Sequence, residues 1–376
     1  MSFLVKKIDN KNIKEELNNV GFDKNYLEQG VLKHKFLNLK ICNLTPVQAT
    51  IIKQTALSLG CDSAVHRDVL TSRIENSNCV LSGSISQLKK VSEKLKRQPF
   101  SLSKLSILID ENLEDDFKKT QIMAILNLSE NSFSGFSFDP KDDIEKFLKL
   151  GVDIIDIGAE STSPNSKMVD DDVQIQKLSP ILDILKDKNV LVSVDTRSSV
   201  VADFAIRNGA DIINDVSFLS DENMADVIIE SGKKLILTHS KGTPETMDNL
   251  CDYKNVTDEV YFDLNEKIND LEKKGLSREN IIVDVGFGFA KNVEQNFELI
   301  KNIEQFKSLK CKLLAGTSRK RVLRSLIDNE NKENLNLELD FLTAISSFYF
   351  AQKNIDILRV HNPYLTKLAL NFQKLL

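Results

Sequence analysis

Short apolar runs alternate with longer amphipathic segments over the last two thirds of the chain. Eight runs of apolar or β-branched residues follow residue 118, and helical spacing of apolar positions follows these runs, as in 142–150, 200–208, 258–274, 292–306 and 343–352. The runs are QIMAILN (121–127), DIIDIG (153–158), VLVSVD (190–195), DIIND (211–215), KLILTH (234–239), IIVDVG (281–286), KLLAG (312–316) and DILRVH (356–361). Eight such units in about 255 residues fit a closed (β/α)8 TIM barrel better than an open doubly wound α/β sheet.

Polar residues terminate or directly follow most of these predicted strands. Barrel enzymes act at the carboxyl ends of their strands, where the loops converge. An isolated Asp or Asn at a strand end is usually a helix cap or a turn residue. Polar residues at the ends of all eight predicted strands together predict an active site instead. The residues are Asn127, Asp156, Asp195, Asn214, His239, Asp284, Ser318 to Lys320, Arg359 and His361.

The first 118 residues have a different pattern and a different charge. A helix-like Pro46–Leu59, an apolar Cys79–Leu81 and an amphipathic Ile85–Arg97 predict a small α+β unit of unknown role. Residues 1–118 carry a net charge of about +4, whereas the remainder carries about −9. We therefore predict an N-terminal domain of residues 1–118 and a barrel of residues 119–376. Within the barrel, the Asn-rich and acidic segment 328–340 is expected to be an exposed excursion.

Composition narrows the possible partners. The chain has 376 residues, 41% of them hydrophobic and 28% charged, with a net charge of −5. This balance offers no global attraction for nucleic acid or an anionic membrane. The start of the chain lacks a signal-like apolar core, and no stretch approaches the roughly 20 apolar residues of a membrane span. Five widely spaced cysteines without a CxxC pair argue against a disulfide framework or a zinc cluster. We expect a cytoplasmic protein.

Taken in chain order, the strand-end motifs resemble dihydropteroate synthase, and the resemblance covers about residue 121 to the C-terminus. The motifs are ILNLSENSFS (125–134), DIIDIGAESTSP (153–164), VSVDT (192–196), INDVS (213–217), LTHSKGTPETM (237–247), DVGFGFAKNVEQN (284–296), GTSRKR (316–321) and RVHNP (359–363). The family joins 6-hydroxymethyl-7,8-dihydropterin pyrophosphate to 4-aminobenzoate in folate biosynthesis, releases pyrophosphate, and is the target of sulfonamides. The resemblance implies a transferase that uses Mg²⁺, and a homodimer formed by barrel helices.

The same resemblance assigns a role to each pocket residue. The amino-oxo-pyrimidine edge of a pterin alternates donors and acceptors, so its pocket needs buried carboxylate and amide groups. Asp284 would accept from the amino and ring N–H groups, and Asn214 and Asp195 would satisfy the rest of the edge. Lys320 would reach the oxo and N5 side. Lys320, Arg359 and Asp195 are the residues expected to act in catalysis.

The leaving pyrophosphate and the second substrate need further groups. Arg359 and His361 would take up negative charge on the pyrophosphate, His361 by donating a ring N–H or by carrying charge near neutral pH. Asn127 would lie next to Mg²⁺ through its amide oxygen. The remaining substrate-binding residues implied by the resemblance are Ser318 for the aminobenzoate carboxylate, Phe289 and Phe133 for its ring, and Thr162. His239 favours a structural role.

Four departures from the family pattern keep other functions open. Glu130 and Asn131 replace Pro and Asp in the first loop, and Ser163 replaces Arg in the second, so an expected charge pair is missing from both sides. Val285 and Ala290 replace Pro and Gly, and Thr238 and Ser240 flank His239 in place of methionines. We expect altered closure over aminobenzoate with pterin binding retained. A pterin-dependent methyltransferase domain and a catalytically degenerate pterin-binding protein are the alternatives.

Overall fold

A computed structural model divides the chain into two compact units, residues 1–116 and 117–376. The sequence-based boundary lies at residue 118. The structure describes residues 3–71, 73–113, 119–128, 140–160, 169–243, 246–327 and 334–375.

The first unit is a three-stranded antiparallel sheet with helices. Its strands β1 (Phe36–Leu44), β2 (Asp62–Val65) and β3 (Ser77–Ser84) lie in the order β1-β3-β2. Its helices are α1 (Ile13–Asn19), α2 (Leu27–His34), α3 (Pro46–Leu57), α4 (Ile85–Leu95) and α5 (Leu102–Glu111). Capping boxes at Thr45 and Ser84 start α3 and α4, because each side chain accepts from the backbone three residues later and a Gln reaches back. Ile52, Leu81 and Leu88 are buried in the core of this unit, so the predicted small α+β unit is confirmed.

The second unit is an eight-stranded barrel. The strands are β4 (Gln121–Asn127), β5 (Ile154–Gly158), β6 (Leu191–Asp195), β7 (Ile212–Asp215), β8 (Lys234–Thr238), β9 (Ile281–Asp284), β10 (Lys312–Ala315) and β11 (Ile357–Val360). All neighbours pair in parallel, and β11 pairs with β4 to close the ring. Each strand lies within one of the eight runs counted in the sequence. The (β/α)8 prediction is confirmed.

Helices surround the barrel. They are α6 (Pro140–Leu150), α7 (Asp171–Leu185), α8 (Ser199–Arg207), α9 (Met224–Ser231), α10 (Val256–Lys273), α11 (Val293–Lys301), α12 (Arg321–Arg324), α13 (Leu335–Gln352) and α14 (Pro363–Gln373). None of the described helices is long and apolar enough to cross a membrane.

The alternation of side chains along the strands decides which residues face the barrel interior. Residues of one parity, such as Leu235, Leu237 and Val283, join the large core between strands and helices. Residues of the other parity form a separate apolar layer inside the barrel: Met123, Ile154, Ile212, Ile236, Ile282, Leu314 and Ile357. Two residues further along each strand, the same parity is mostly polar. An apolar floor therefore supports a polar mouth at the carboxyl ends.

Two predictions about helices are wrong in part. Of the segment 328–340, which was expected to be exposed, residues 328–333 lie outside the described residues. In the rest, α13 begins at Leu335, Leu339 is buried, and Asp340 is only 5% exposed. Asp340 is buried because Arg319 binds it through two hydrogen bonds, which offsets the cost of burying its charge. The expected helix 292–306 instead ends at Lys301 and is followed by a 3₁₀ segment, Ile303–Leu309.

Candidate active site

Two buried carboxylates share one arginine inside the barrel mouth. Arg359 on β11 donates from Nε to Asp156 Oδ2 at 2.6 Å and from a terminal nitrogen to Asp195 Oδ2 at 2.7 Å. Asn214 Nδ2 donates to the same Asp156 oxygen at 3.2 Å. Burial raises the pKa of Asp195 to about 7, against the opposing effect of Arg359. The Oδ1 atoms of both carboxylates have no partner among the described residues, and this leaves two acceptors for a ligand.

Asp284 ends β9 on the same inner face. Its Oδ1 accepts the backbone N–H of Gly286 at 2.8 Å, so the carboxylate is fixed by its own loop. Burial raises the pKa of Asp284, while the charge of Lys320 and the Gly286 hydrogen bond act in the opposite direction. Gly286 has φ +71°, and an added Cβ would lie 1.9 Å from the carbonyl oxygen of His239, so only glycine fits there.

Lys320 approaches Asp284 from the loop after β10. Its Nζ donates to the carbonyl oxygen of Phe287 at 2.6 Å and lies 4.4 Å from the centre of the Phe289 ring. Burial lowers the pKa of Lys320 to about 8, and the charge of Asp284 limits that shift. The structure therefore places Lys320 and Phe289 together beside Asp284. Ala290 in this loop has φ +50°, a conformation that suits the Gly expected at this position.

A second buried lysine holds the loop after β9. Lys291 is 2% exposed, and its Nζ lies 3.0 Å from His239 Nδ1 and 3.3, 3.1 and 2.9 Å from the carbonyl oxygens of His239, Gly286 and Phe289. His239 Nε2 lies 3.1 Å from Asp263 Oδ2. Burial lowers the pKa of Lys291 to about 7 and that of His239 to about 4. His239 and Lys291 thus form a hydrogen-bonded link, here called the brace, between β8 and the loop after β9. This position is compatible with the structural role predicted for His239.

Replacing Lys291 by Met is expected to destabilise the barrel by about 3 kcal/mol, because several buried carbonyl groups lose their donor. Activity should fall with it, since Phe289 and Gly286 belong to the loop that Lys291 holds. Urea unfolding followed by circular dichroism measures the change. Lys146→Met removes an exposed lysine paired with Asp143 and should leave the free energy of unfolding nearly unchanged. Equal stability of the Lys291 variant and the wild type would contradict the proposed brace.

Ser318 and His361 form a pair next to this centre. His361 Nδ1 lies 3.0 Å from Ser318 Oγ, which also accepts the His361 backbone N–H at 3.2 Å. Burial, together with the charges of Arg319 and Arg359, lowers the pKa of His361 to about 3. Of the two roles expected for His361, the lowered pKa favours hydrogen bonding by a neutral ring over carrying charge near neutral pH. It remains a hydrogen-bonding group.

The lowered pKa of His361 predicts a pH dependence of stability. The unfolded chain takes up this proton near pH 6.5 and the folded protein only near pH 3, so the free energy of unfolding falls as the pH falls below 6.5. His361→Asn removes the titration. Between pH 6.5 and 5 the wild type should lose about 2 kcal/mol more than the variant. Urea titrations of both proteins at pH 6.5 and pH 5 measure this difference. Equal losses of stability in the two proteins would contradict the lowered pKa of His361.

Several predicted residues cannot be placed in this geometry. Phe133 and Thr162, and the departures Glu130, Asn131 and Ser163, lie outside the described residues.

Asn127 ends β4, and a Cβ on its register partner Gly158 would lie 3.5 Å from Asn127 Oδ1 and 3.7 Å from Asp195 Cβ. Asn127 therefore faces the same mouth as Asp195. Within the described ranges, no group of three or more His, Cys, Asp or Glu side chains could hold a metal ion.

The sequence did not reveal two features of the site. One is the burial of Lys291, which its place directly after the apolar GFGFA segment could have indicated. The other is a two-hydrogen-bond ion pair between Glu160 and Arg197, at 2.5 and 3.2 Å, which joins the segments after β5 and β6. Glu160 Oε1 also accepts the Val169 N–H at 3.1 Å.

Comparison with known proteins gives one consistent result. Residues 123–361 match the family model of pterin binding enzymes. A bifunctional dihydropteroate synthase/dihydropteroate reductase of Helicobacter pylori is 34% identical over 96% of this chain and 95% of its own. A probable bifunctional folylpolyglutamate synthase/dihydropteroate synthase of Haloferax volcanii is 34% identical over 84% of this chain, which spans only 40% of that relative.

A solved structure shows the same barrel. Dihydropteroate synthase from Anaplasma phagocytophilum, with bound 6-hydroxymethylpterin-monophosphate, is similar over 68% of this chain and 98% of that one, with a TM-score of 0.61 and 32% identity. The motif order, the barrel and the inward-facing carboxylates point the same way. The chain belongs to the pterin-binding enzyme family and, within it, to the dihydropteroate synthases, which are transferases.

Proposed function

We propose that the chain condenses 6-hydroxymethyl-7,8-dihydropterin pyrophosphate with 4-aminobenzoate to give 7,8-dihydropteroate and pyrophosphate. The observation that carries this proposal is the convergence of Asp195, Asn214 and Asp284 on one inner face, with Arg359 and Lys320 beside them. The barrel mouth thereby combines buried acceptors, which can recognise a heterocyclic edge, with cations, which can receive a leaving anion. The cytoplasmic location of the protein stays a prediction from the sequence.

The pterin would lie against the carboxylates. Asp284 offers a fixed acceptor pair to the amino and ring N–H groups, and Asn214 supplies both a donor and an acceptor. Lys320 would turn from the Phe287 carbonyl toward the oxo and N5 side of the ring. Its pKa of about 8 leaves it largely protonated near neutral pH, so it donates there.

Chemistry at the pterin methylene is a displacement. The aminobenzoate nitrogen forms a bond to this carbon as the carbon–oxygen bond to pyrophosphate breaks, the electron pair leaves with pyrophosphate, and the amine releases one proton. Arg359 would stabilise the charge that develops on the leaving group. No covalent bond to the protein is needed, so positioning and charge supply the acceleration.

Mg²⁺ fits this site only as a partner of the pyrophosphate. Asn127 offers one neutral amide oxygen at the mouth, and a hard cation that keeps several waters suits one such ligand plus phosphate oxygens. When bound, the ion would neutralise charge on the leaving group. Asn127 would be the ligand that the protein supplies to the ion.

Aminobenzoate would enter beside Phe289. Ser318 Oγ would bind the carboxylate, and His361, whose Nδ1 lies 3.0 Å from that hydroxyl, would orient it. The Phe289 ring, already under Lys320, would cover one face of the substrate ring.

Pyrophosphate release tests the function. We expect the full chain to release pyrophosphate from the dihydropterin pyrophosphate only when Mg²⁺ and 4-aminobenzoate are present, with dihydropteroate formed in equal amount. Pterin binding without any turnover would instead indicate a degenerate binding protein. Binding of a methylated pterin followed by methyl transfer would indicate the methyltransferase alternative.

We also propose a homodimer through α13 and α14. The two helices pack together, with Phe348 and Phe372 stacked at 5.8 Å. Large apolar side chains spaced four residues apart are exposed on both helices: Leu337, Phe341 and Ile345 on α13, and Tyr364, Leu368 and Phe372 on α14. A continuous apolar face of this kind favours a self-complementary contact with a second copy. Light scattering should give twice the chain mass, and Ile345→Asp should give a monomer.

A second candidate activity concerns the reductase named in the Helicobacter pylori relative. That similarity includes the first unit, because it covers 96% of this chain. The reaction would transfer a hydride from a nicotinamide to the dihydropterin ring, with one proton from water, to give the tetrahydro product. Oxidation of NADPH that depends on added dihydropteroate tests it, and NADPH alone is the control.

A further inference from the structure

Thr238, at the carboxyl end of β8, has a buried hydroxyl without a hydrogen-bond partner among the described residues. The residue ends β8 and is 0% exposed, and its Oγ1 makes no hydrogen bond within the described part of the chain. A buried hydroxyl without a partner is costly, and most such groups in folded proteins are satisfied. This one needs a ligand or a water.

The position of Thr238 in its strand shows which way its side chain points. Ile236, two residues earlier, belongs to the apolar layer inside the barrel, so Thr238 faces the interior as well. Thr238 is the register partner of Asp284, and the adjacent His239 N–H donates to the Asp284 carbonyl oxygen at 2.9 Å. The two side chains are therefore neighbours on one inner face.

We infer that the Thr238 hydroxyl is a specificity-determining group that hydrogen-bonds the edge of the pterin held by Asp284, directly or through one water. This inference rests on the proposed function. A hydroxyl can both donate and accept, which suits an edge where donors and acceptors alternate. Among the described residues, Asp156 Oδ1 and Asp195 Oδ1 also lack a hydrogen-bond partner, so the barrel mouth holds further buried acceptors besides the Thr238 hydroxyl.

Thr238→Val keeps the shape of the side chain and removes the hydroxyl. We expect its affinity for 6-hydroxymethylpterin monophosphate, measured by calorimetry on the full chain, to fall about tenfold. Thr238→Ser should stay within about twofold of the wild type. The KM for 4-aminobenzoate should not change, because that substrate lies on the side of Ser318 and Phe289.

Stability without ligand gives a second measurement. Since the Thr238 hydroxyl makes no hydrogen bond to the described residues, Thr238→Val should raise the melting temperature measured without pterin by about 2 °C. Thr366→Val is the matched control, because Thr366 on α14 also has a fully buried, unpartnered Oγ1 but lies outside the barrel. It should raise the melting temperature similarly and leave pterin affinity unchanged.

The outcomes separate the two levels of inference. A Thr238→Val protein that binds the pterin as tightly as the wild type overturns the role of the hydroxyl and leaves the proposed function intact. A wild-type protein that does not bind the pterin at all overturns both. Weaker binding by Thr238→Val, with Thr238→Ser and Thr366→Val unaffected, supports the inference.

Discussion

Asp284→Asn is expected to lower kcat/KM by about a thousandfold while leaving the protein folded. The Asn oxygen can still accept the Gly286 N–H, so the loop keeps its anchor. The second oxygen, however, becomes an NH₂ donor, which under the proposed function would face the donors of the pterin edge. A buried site built to accept hydrogen bonds discriminates strongly when one acceptor turns into a donor. Steady-state kinetics on pyrophosphate release measures the effect.

The matched control for this variant is Asp153→Asn. Asp153 precedes β5 at the amino end of the barrel, where its Oδ2 accepts the Ile122 N–H. This change should leave kcat/KM within about twofold, because the opposite end of a barrel supports stability and not chemistry. A loss of less than about tenfold for Asp284→Asn would show that another group recognises the pterin edge.

Arg359→Gln is expected to destabilise the barrel by about 3–5 kcal/mol and to abolish measurable turnover. Arg359 has a side chain that is 16% exposed, and it binds two carboxylates whose side chains are 0% and 5% exposed. Removal of one partner from a buried ion pair leaves uncompensated charge, which costs more than the pair contributes. Turnover should stop because, in the proposed reaction, Arg359 is the cation that stabilises the leaving pyrophosphate. Urea unfolding and single-turnover kinetics measure the two effects.

Arg207→Gln provides the contrast for Arg359→Gln. Arg207 pairs with Asp203 one helical turn away, and both side chains are largely exposed. Water and salt screen such a pair, so its loss should change stability by less than about 0.5 kcal/mol. If both arginine variants were equally stable, the carboxylates around Arg359 would be satisfied by another group.

The barrel could be predicted from the sequence because its signals are local. Buried parallel strands have short apolar runs, and the positions of Asp195, Asn214 and Asp284 at the ends of those runs placed them on one edge. Long-range pairings give no such signal. Arg319 lies 21 positions from Asp340, and His239 lies 52 positions from Lys291, so an acidic, Asn-rich segment was taken for an exposed loop and the link between β8 and the loop after β9 was missed. Likewise, Arg359 was assigned to the pyrophosphate, and its pairing with Asp156 could only be seen in the folded barrel.

The ion pairs of Arg359 have a consequence for the order in which the barrel forms. Arg359 lies on β11, the strand that closes the ring against β4, and its partners Asp156 and Asp195 precede it by 203 and 164 positions. Contacts of such separation form late in folding. Until β11 pairs with β4, the carboxylates of Asp156 on β5 and Asp195 on β6 lack Arg359 and must be hydrated or protonated. Ring closure and charge neutralisation of the site are therefore a single folding event, and an emerging chain cannot bind its pterin before that strand has been synthesised.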